Sequence, residues 1–249
     1  MSKLERIYDD DEIELVSTKG YEKFNNEFVR YTKQKLKFYK ELFEVDSLRK
    51  LRYVIFDDLE EYRNLRRKQS GHEPPQYSRG CFCDDTVMMV IEEEPKEGSE
   101  EFLVRRGSGA HEAFHTYYRE YVYKSDDNRV VWFDEGMAQL FSGQKDHMTD
   151  KMLEEYYLKF KTKYKKIDNL NERVQGNSNV PDDKIFTRKG VIDGYKISYL
   201  VLRYLYDEKG LEYIKGIMGD KEKILKEGES IIPDMMKYFD EKFKSIEER

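Results

Sequence analysis

The chain has 249 residues, of which 39% are charged and 38% hydrophobic, and its formal net charge is −6. So many charges would suit a disordered chain, but 20 Tyr and 14 Phe do not; a folded protein with a highly charged, mostly helical surface is expected. An acidic balance opposes broad nucleic-acid binding, which needs cationic groups to displace counterions. The longest apolar run, 87–91, falls far short of the ~20 residues of a membrane-spanning helix, so neither nucleic acid nor membrane is expected as a partner.

Residues 1–7 hold no apolar core and lead into an acidic stretch, so no secretory leader is expected and the chain is read as cytoplasmic. Residues 21–45 predict a helix, with Phe24, Phe28, Tyr31, Tyr39, Leu42 and Phe43 near one face. Leu51–Phe56 reads as a strand, and Asp57 or Asp58 as the cap of a helix reaching about Lys68. A loop with Gly71 and Pro74-Pro75 follows, then one or two strands within 80–91. Cys81 and Cys83 are two residues apart on that strand and are expected to be reduced thiols. A second metal site formed by them with His72 would lack a clear fourth ligand. Arg63, Arg66, Arg67, Lys68 and Arg79 suit a solvated helix face better than a nucleic-acid site.

Ser99 can cap a helix carrying Glu100 and Glu101 in its first turn and running to about Tyr123. A polar turn at 124–129 precedes a further helix at 133–141, and His147 is expected to be exposed in the turn beyond it. More helices are predicted at 151–166, 194–207, 211–218 and 231–247. The polar stretch 167–193, with Gly176, Pro181 and Gly190, reads as a long connection that acts as a lid or is a plain surface loop. The order implies an α+β protein, with a small mixed sheet in the first half and a mainly helical second half. Residues 1–45 read as an N-terminal helical segment packed on a core formed by 46–249.

The chemistry is concentrated in His111-Glu112-Ala113-Phe114-His115. On a helix, residues four apart are separated by ~400° of rotation and ~6 Å of rise, so both imidazoles share a face and can hold one metal ion. Glu112, one step round, can reach a water on that ion as general base. The plain alternative is a buried helix with two satisfied histidines. Downstream lies Val131-Trp132-Phe133-Asp134-Glu135-Gly136-Met137-Ala138. If the polar turn sends this helix back antiparallel, Glu135 reaches the imidazole face, and small Gly136 and Ala138 permit close approach. A His-His-Glu set would then leave a fourth position open, as catalytic zinc requires.

The pairing of His111-Glu-Ala-Phe-His115 with Trp132-Phe-Asp-Glu135-Gly-Met-Ala138 resembles the gluzincin metallopeptidases, which include the thermolysin and aminopeptidase-N families and bacterial proteins with a peptidase-MA-like domain. The resemblance extends in general layout over 51–218 and implies a zincin-like fold. It also implies one Zn²⁺ per chain on His111, His115 and Glu135, with Glu112 as base. In aminopeptidase-N relatives a tyrosine opens a later helix, usually as Tyr-x-x-Gly, and hydrogen-bonds the tetrahedral intermediate. Tyr195 stands in that place, with Ser198 where glycine is usual and Tyr199 as a competitor. The Gly-x-Met-Glu-Asn strand of those relatives is not reproduced at 85–92, so aminopeptidase activity is not carried over. That segment is still expected to form a sheet edge able to pair with an extended substrate. Gln139, one turn past Glu135, is a candidate partner for a ligand imidazole.

The expected function is zinc-dependent hydrolysis of a peptide or protein substrate. The alternatives are a non-catalytic zinc-binding or scaffold protein of the same fold, and a zinc hydrolase of a non-peptide bond.

Overall fold

The structure, a computed structural model, describes residues 4–71, 79–83, 85–163, 170–173 and 188–247. The protein is α+β, with a five-stranded mixed sheet in its N-terminal part and a mostly helical C-terminal half. Contacts divide the chain into two compact units, one formed by 1–117 with 141–147 and the other by 118–140 with 148–249. No described helix is long and apolar enough to cross a membrane.

The first unit is built on strands β1 (Leu4–Asp9), β2 (Ile13–Thr18), β3 (Leu51–Phe56), β4 (Gly80–Cys83) and β5 (Thr86–Val90), in the order β1-β2-β3-β5-β4. The inner pairs β2·β3 and β3·β5 are parallel, whereas β1·β2 and β4·β5 are antiparallel. Residues 51–56 form the strand expected of them. The first eighteen residues depart from the expected helical segment by contributing two strands. Ile13, Leu15 and Ser17 of β2 are fully buried in period-two alternation. The acidic residues around them are matched across space, Asp10 to Lys33 and Glu12 to Lys40. The expected edge also moves: β5 lies inside the sheet, between β3 and β4, and β4 ends it.

Helix α1 (Glu22–Phe43) buries every residue of its predicted apolar face. Asp58 caps α2 (Leu59–Ser70), its carboxylate accepting from the Glu60 and Glu61 amides. Ser99 Oγ accepts from the Phe102 amide at the start of α3 (Glu100–Tyr117), again as expected. Beyond α3 the chain continues as a π-helical stretch, Tyr118–Tyr123, and a 3₁₀ turn, Asp126–Asn128.

The second unit holds α4 (Val131–Phe141), α5 (Asp150–Lys163), a short α6 (Leu170–Arg173), α7 (Arg188–Met218) and α8 (Lys221–Glu247). The break predicted between 207 and 211 is present inside α7, where Gly210 leaves helical geometry at φ 79°, ψ 173°. Helix α8 begins ten residues earlier than expected and carries Pro233 within it. Its Gly228 makes room for Asn171, which accepts a bond from the Trp132 indole and donates to the Leu225 carbonyl. A side chain at 228 would meet the Asn171 amide at 2.4 Å.

Candidate metal centre

Helix α3 carries His111 and His115, and close packing within the first unit fixes their turn. Gly109 lies under the Phe28 ring of α1, so close that a Cβ would sit 2.2 Å from Phe28 Cζ. Tyr39 donates to the Ala110 carbonyl at 3.1 Å, and its ring meets Phe114 edge-on at 5.4 Å. Phe28 in turn packs against Tyr53 of β3. The turn is therefore pinned by buried apolar surface, with one approach, at Gly109, that only a missing side chain permits.

On the other side the two imidazoles meet. Their Nε2 atoms are 3.1 Å apart and the rings cross at 85°. His111, His115 and Glu135 each offer one ligand atom, and all three atoms lie within 4.8 Å of one another. Among the described residues this is the group of His, Cys, Asp or Glu side chains able to hold a metal ion. Tetrahedral coordination at bond lengths typical of zinc separates ligand atoms by ~3.3 Å, so the donor set and its spacing fit one ion. The 3.1 Å separation also suits one N–H···N hydrogen bond between neutral rings.

Glu112 is half-buried, and its Oε1 lies 3.4 Å from where a Cβ on Gly80 of β4 would stand. The carboxylate of the HExxH motif is thus placed beside the strand that ends the sheet. His147, expected to be exposed, is instead largely covered, with Nε2 3.5 Å from Glu100. Cys81 is a buried free thiol and Cys83 a half-buried one; burial pushes the Cys81 thiol up, although Arg66 works against it. His72, the proposed third member of a Cys–Cys–His site, lies outside the described residues, as does most of the 167–193 stretch.

In the second unit, Glu135 sits on the first turns of α4. Within this unit Gly136 faces α7, where a Cβ would come 2.5 Å from the Ser198 carbonyl oxygen and 2.7 Å from Leu202. The Gln139 amide donates to the Tyr195 carbonyl at 2.8 Å and thereby ties α7 to α4 one turn past Glu135. Tyr195 is 38% exposed, whereas Tyr199 is buried and packs edge-on against Tyr156. Ser198, which stands where the aminopeptidase-N relatives usually carry glycine, is buried and donates to the Gly194 carbonyl.

Two residues that sequence reasoning did not single out complete the surroundings of Glu135. Arg129 donates through Nε to the buried Asp134 carboxylate and through Nη2 to Glu135 Oε1 at 3.1 Å. Burial disfavours the guanidinium charge, but the Asp134 and Glu135 carboxylates outweigh it and push its pKa above the ordinary arginine value. The available signal was the pair of adjacent acids opening an otherwise apolar helix, which calls for a nearby cation. The chain matches no protein-family model and no curated protein.

Proposed function

We propose that the protein is a zinc-dependent peptidase of gluzincin type. The observation that carries this reading is the convergence of His111, His115 and Glu135 ligand atoms within 4.8 Å, with Glu112 on the same helix between the two histidines. His111 and His115 would hold the ion through imidazole nitrogens and Glu135 through a carboxylate oxygen. When bound, zinc supplies Lewis acidity, lowering the pKa of water toward ~7 and polarising a carbonyl.

Glu112 then takes the proton of the attacking water on its carboxylate and delivers it to the leaving amine nitrogen. Its place beside Gly80 supports β4 as the segment along which an extended peptide would lie by strand addition. Tyr195 donates its phenol proton in a hydrogen bond to the developing oxyanion. The exposure of Tyr195 and the burial of Tyr199 favour the former for that role.

The test is cleavage of a mixed peptide library by the full chain, with and without chelator, beside Glu112→Gln. The expected result is chelator-sensitive cleavage that falls ~10²–10⁴-fold in Glu112→Gln. Normal cleavage by that variant contradicts the mechanism. Metal binding without any cleavage points to the non-catalytic alternative.

A further inference from the structure

We propose that Arg129 is a positioning residue for Glu135: its guanidinium spans Asp134 and Glu135 and holds the Glu135 carboxylate in the conformation that ligates the metal. The inference rests on the zinc reading above.

Arg129 precedes α4 in extended backbone and reaches forward over the first turn of the helix. It meets two successive carboxylates with two different nitrogens, Nε on Asp134 and Nη2 on Glu135. A guanidinium is planar and presents its donors in a fixed fork. Once Asp134, fully buried, fixes one side of the fork, the other nitrogen defines where Glu135 Oε1 must lie.

A carboxylate has about four acceptor sites, so Glu135 can accept from the guanidinium and still offer an oxygen to a metal ion. Partners that orient a metal ligand change affinity by about 10- to 100-fold when removed.

The sign of the effect separates positioning from plain electrostatics. Removing a positive charge beside a cation site should tighten cation binding if charge alone mattered. Positioning predicts weaker binding. Zinc affinity of the full chain would be measured by competition with a chromophoric chelator, for wild type, Arg129→Gln, Arg129→Lys and the double variant Arg129→Gln/Asp134→Asn. The double variant removes one positive and one negative charge together, so Asp134 is not left as an uncompensated buried acid if the single variant fails to fold. Thermal melts in excess chelator report folding independently of metal, and the visible spectrum of the Co²⁺-loaded protein reports ligand geometry.

The expected result is a 10- to 100-fold loss of affinity in Arg129→Gln and in the double variant, a changed Co²⁺ spectrum, and partial recovery in Arg129→Lys. Unchanged or tighter binding in the folded variants, with wild type binding zinc normally, overturns the role of Arg129 and leaves the zinc site standing. Absence of zinc binding by wild type overturns both.

Discussion

Helix α3 and helix α4 each carry part of the candidate ligand set, and both bury apolar side chains within their own units, but they differ in the polar contacts beside the ligands. The histidine turn of α3 rests mainly on apolar contact: Phe28 over Gly109, Tyr39 and Phe43 against Phe114. The glutamate turn of α4 adds to its buried Trp132, Phe133 and Met137 a set of polar bonds, from Arg129 to Asp134 and Glu135 and from Gln139 to Tyr195. Apolar packing is non-directional and sets the position of a backbone. Hydrogen-bonded charges set the orientation of one side chain. The imidazoles need mainly the first, because their helix spacing already aligns them; a lone carboxylate needs the second.

The strongest way to break this contrast is Phe28→Ala. Phe28 is fully buried between Gly109 and Tyr53, and its truncation should cost ~3–5 kcal/mol in denaturant unfolding. A loss within the range of an exposed substitution would show that the α3 turn does not depend on this clamp. Asp134→Ala tests the polar side. Removing one partner of a buried pair costs ~3–5 kcal/mol when the other is fully enclosed. The Arg129 side chain retains 31% exposure, so ~2 kcal/mol is the expectation here after allowance for solvent screening. Raising salt should change that figure little, because buried charges are weakly screened.

The smallest expected effect concerns pH and lies wholly in the second unit. Burial pushes the Asp207 carboxyl up, but hydrogen bonds from Arg203 and Tyr238 and the nearby Lys242 charge outweigh it and hold its pKa below the usual value. A carboxylate with a depressed folded pKa stabilises the fold above its unfolded pKa of ~3.9 and loses that contribution as pH falls through the folded value. Asp207→Asn should therefore destabilise modestly at pH 7, by an amount that shrinks as pH falls through the folded pKa of Asp207. A stability gap that widens on acidification would contradict the sign.

What could be read in the sequence follows from how local each cause is. Leu51–Phe56, the apolar face of α1 and the interruption near Gly210 are written in neighbouring residues. The same holds for His111, Glu112 and His115, whose spacing depends on one helical repeat. Strands β1 and β2 were hidden because the acids flanking Ile13 and Leu15 look solvent-bound until Lys33 and Lys40 of α1 are placed opposite them. The early start of α8 is less local: it runs through Gly228, whose missing side chain is required by the approach of Asn171 from 57 residues upstream. Arg129 was missed because its partners lie five and six residues ahead, a spacing that matches no helix face. Gly136 marks a close approach, which within its own unit is to α7.

The central claim is that His111, His115 and Glu135 form one metal site. Zinc titration of the full chain by chelator competition, with His115→Ala alongside, tests it most directly. The expected result is one tight site per wild-type chain, lost in His115→Ala while the variant remains folded. Tight zinc binding that persists unchanged in both His111→Ala and His115→Ala, or a wild-type chain that binds none, would contradict it.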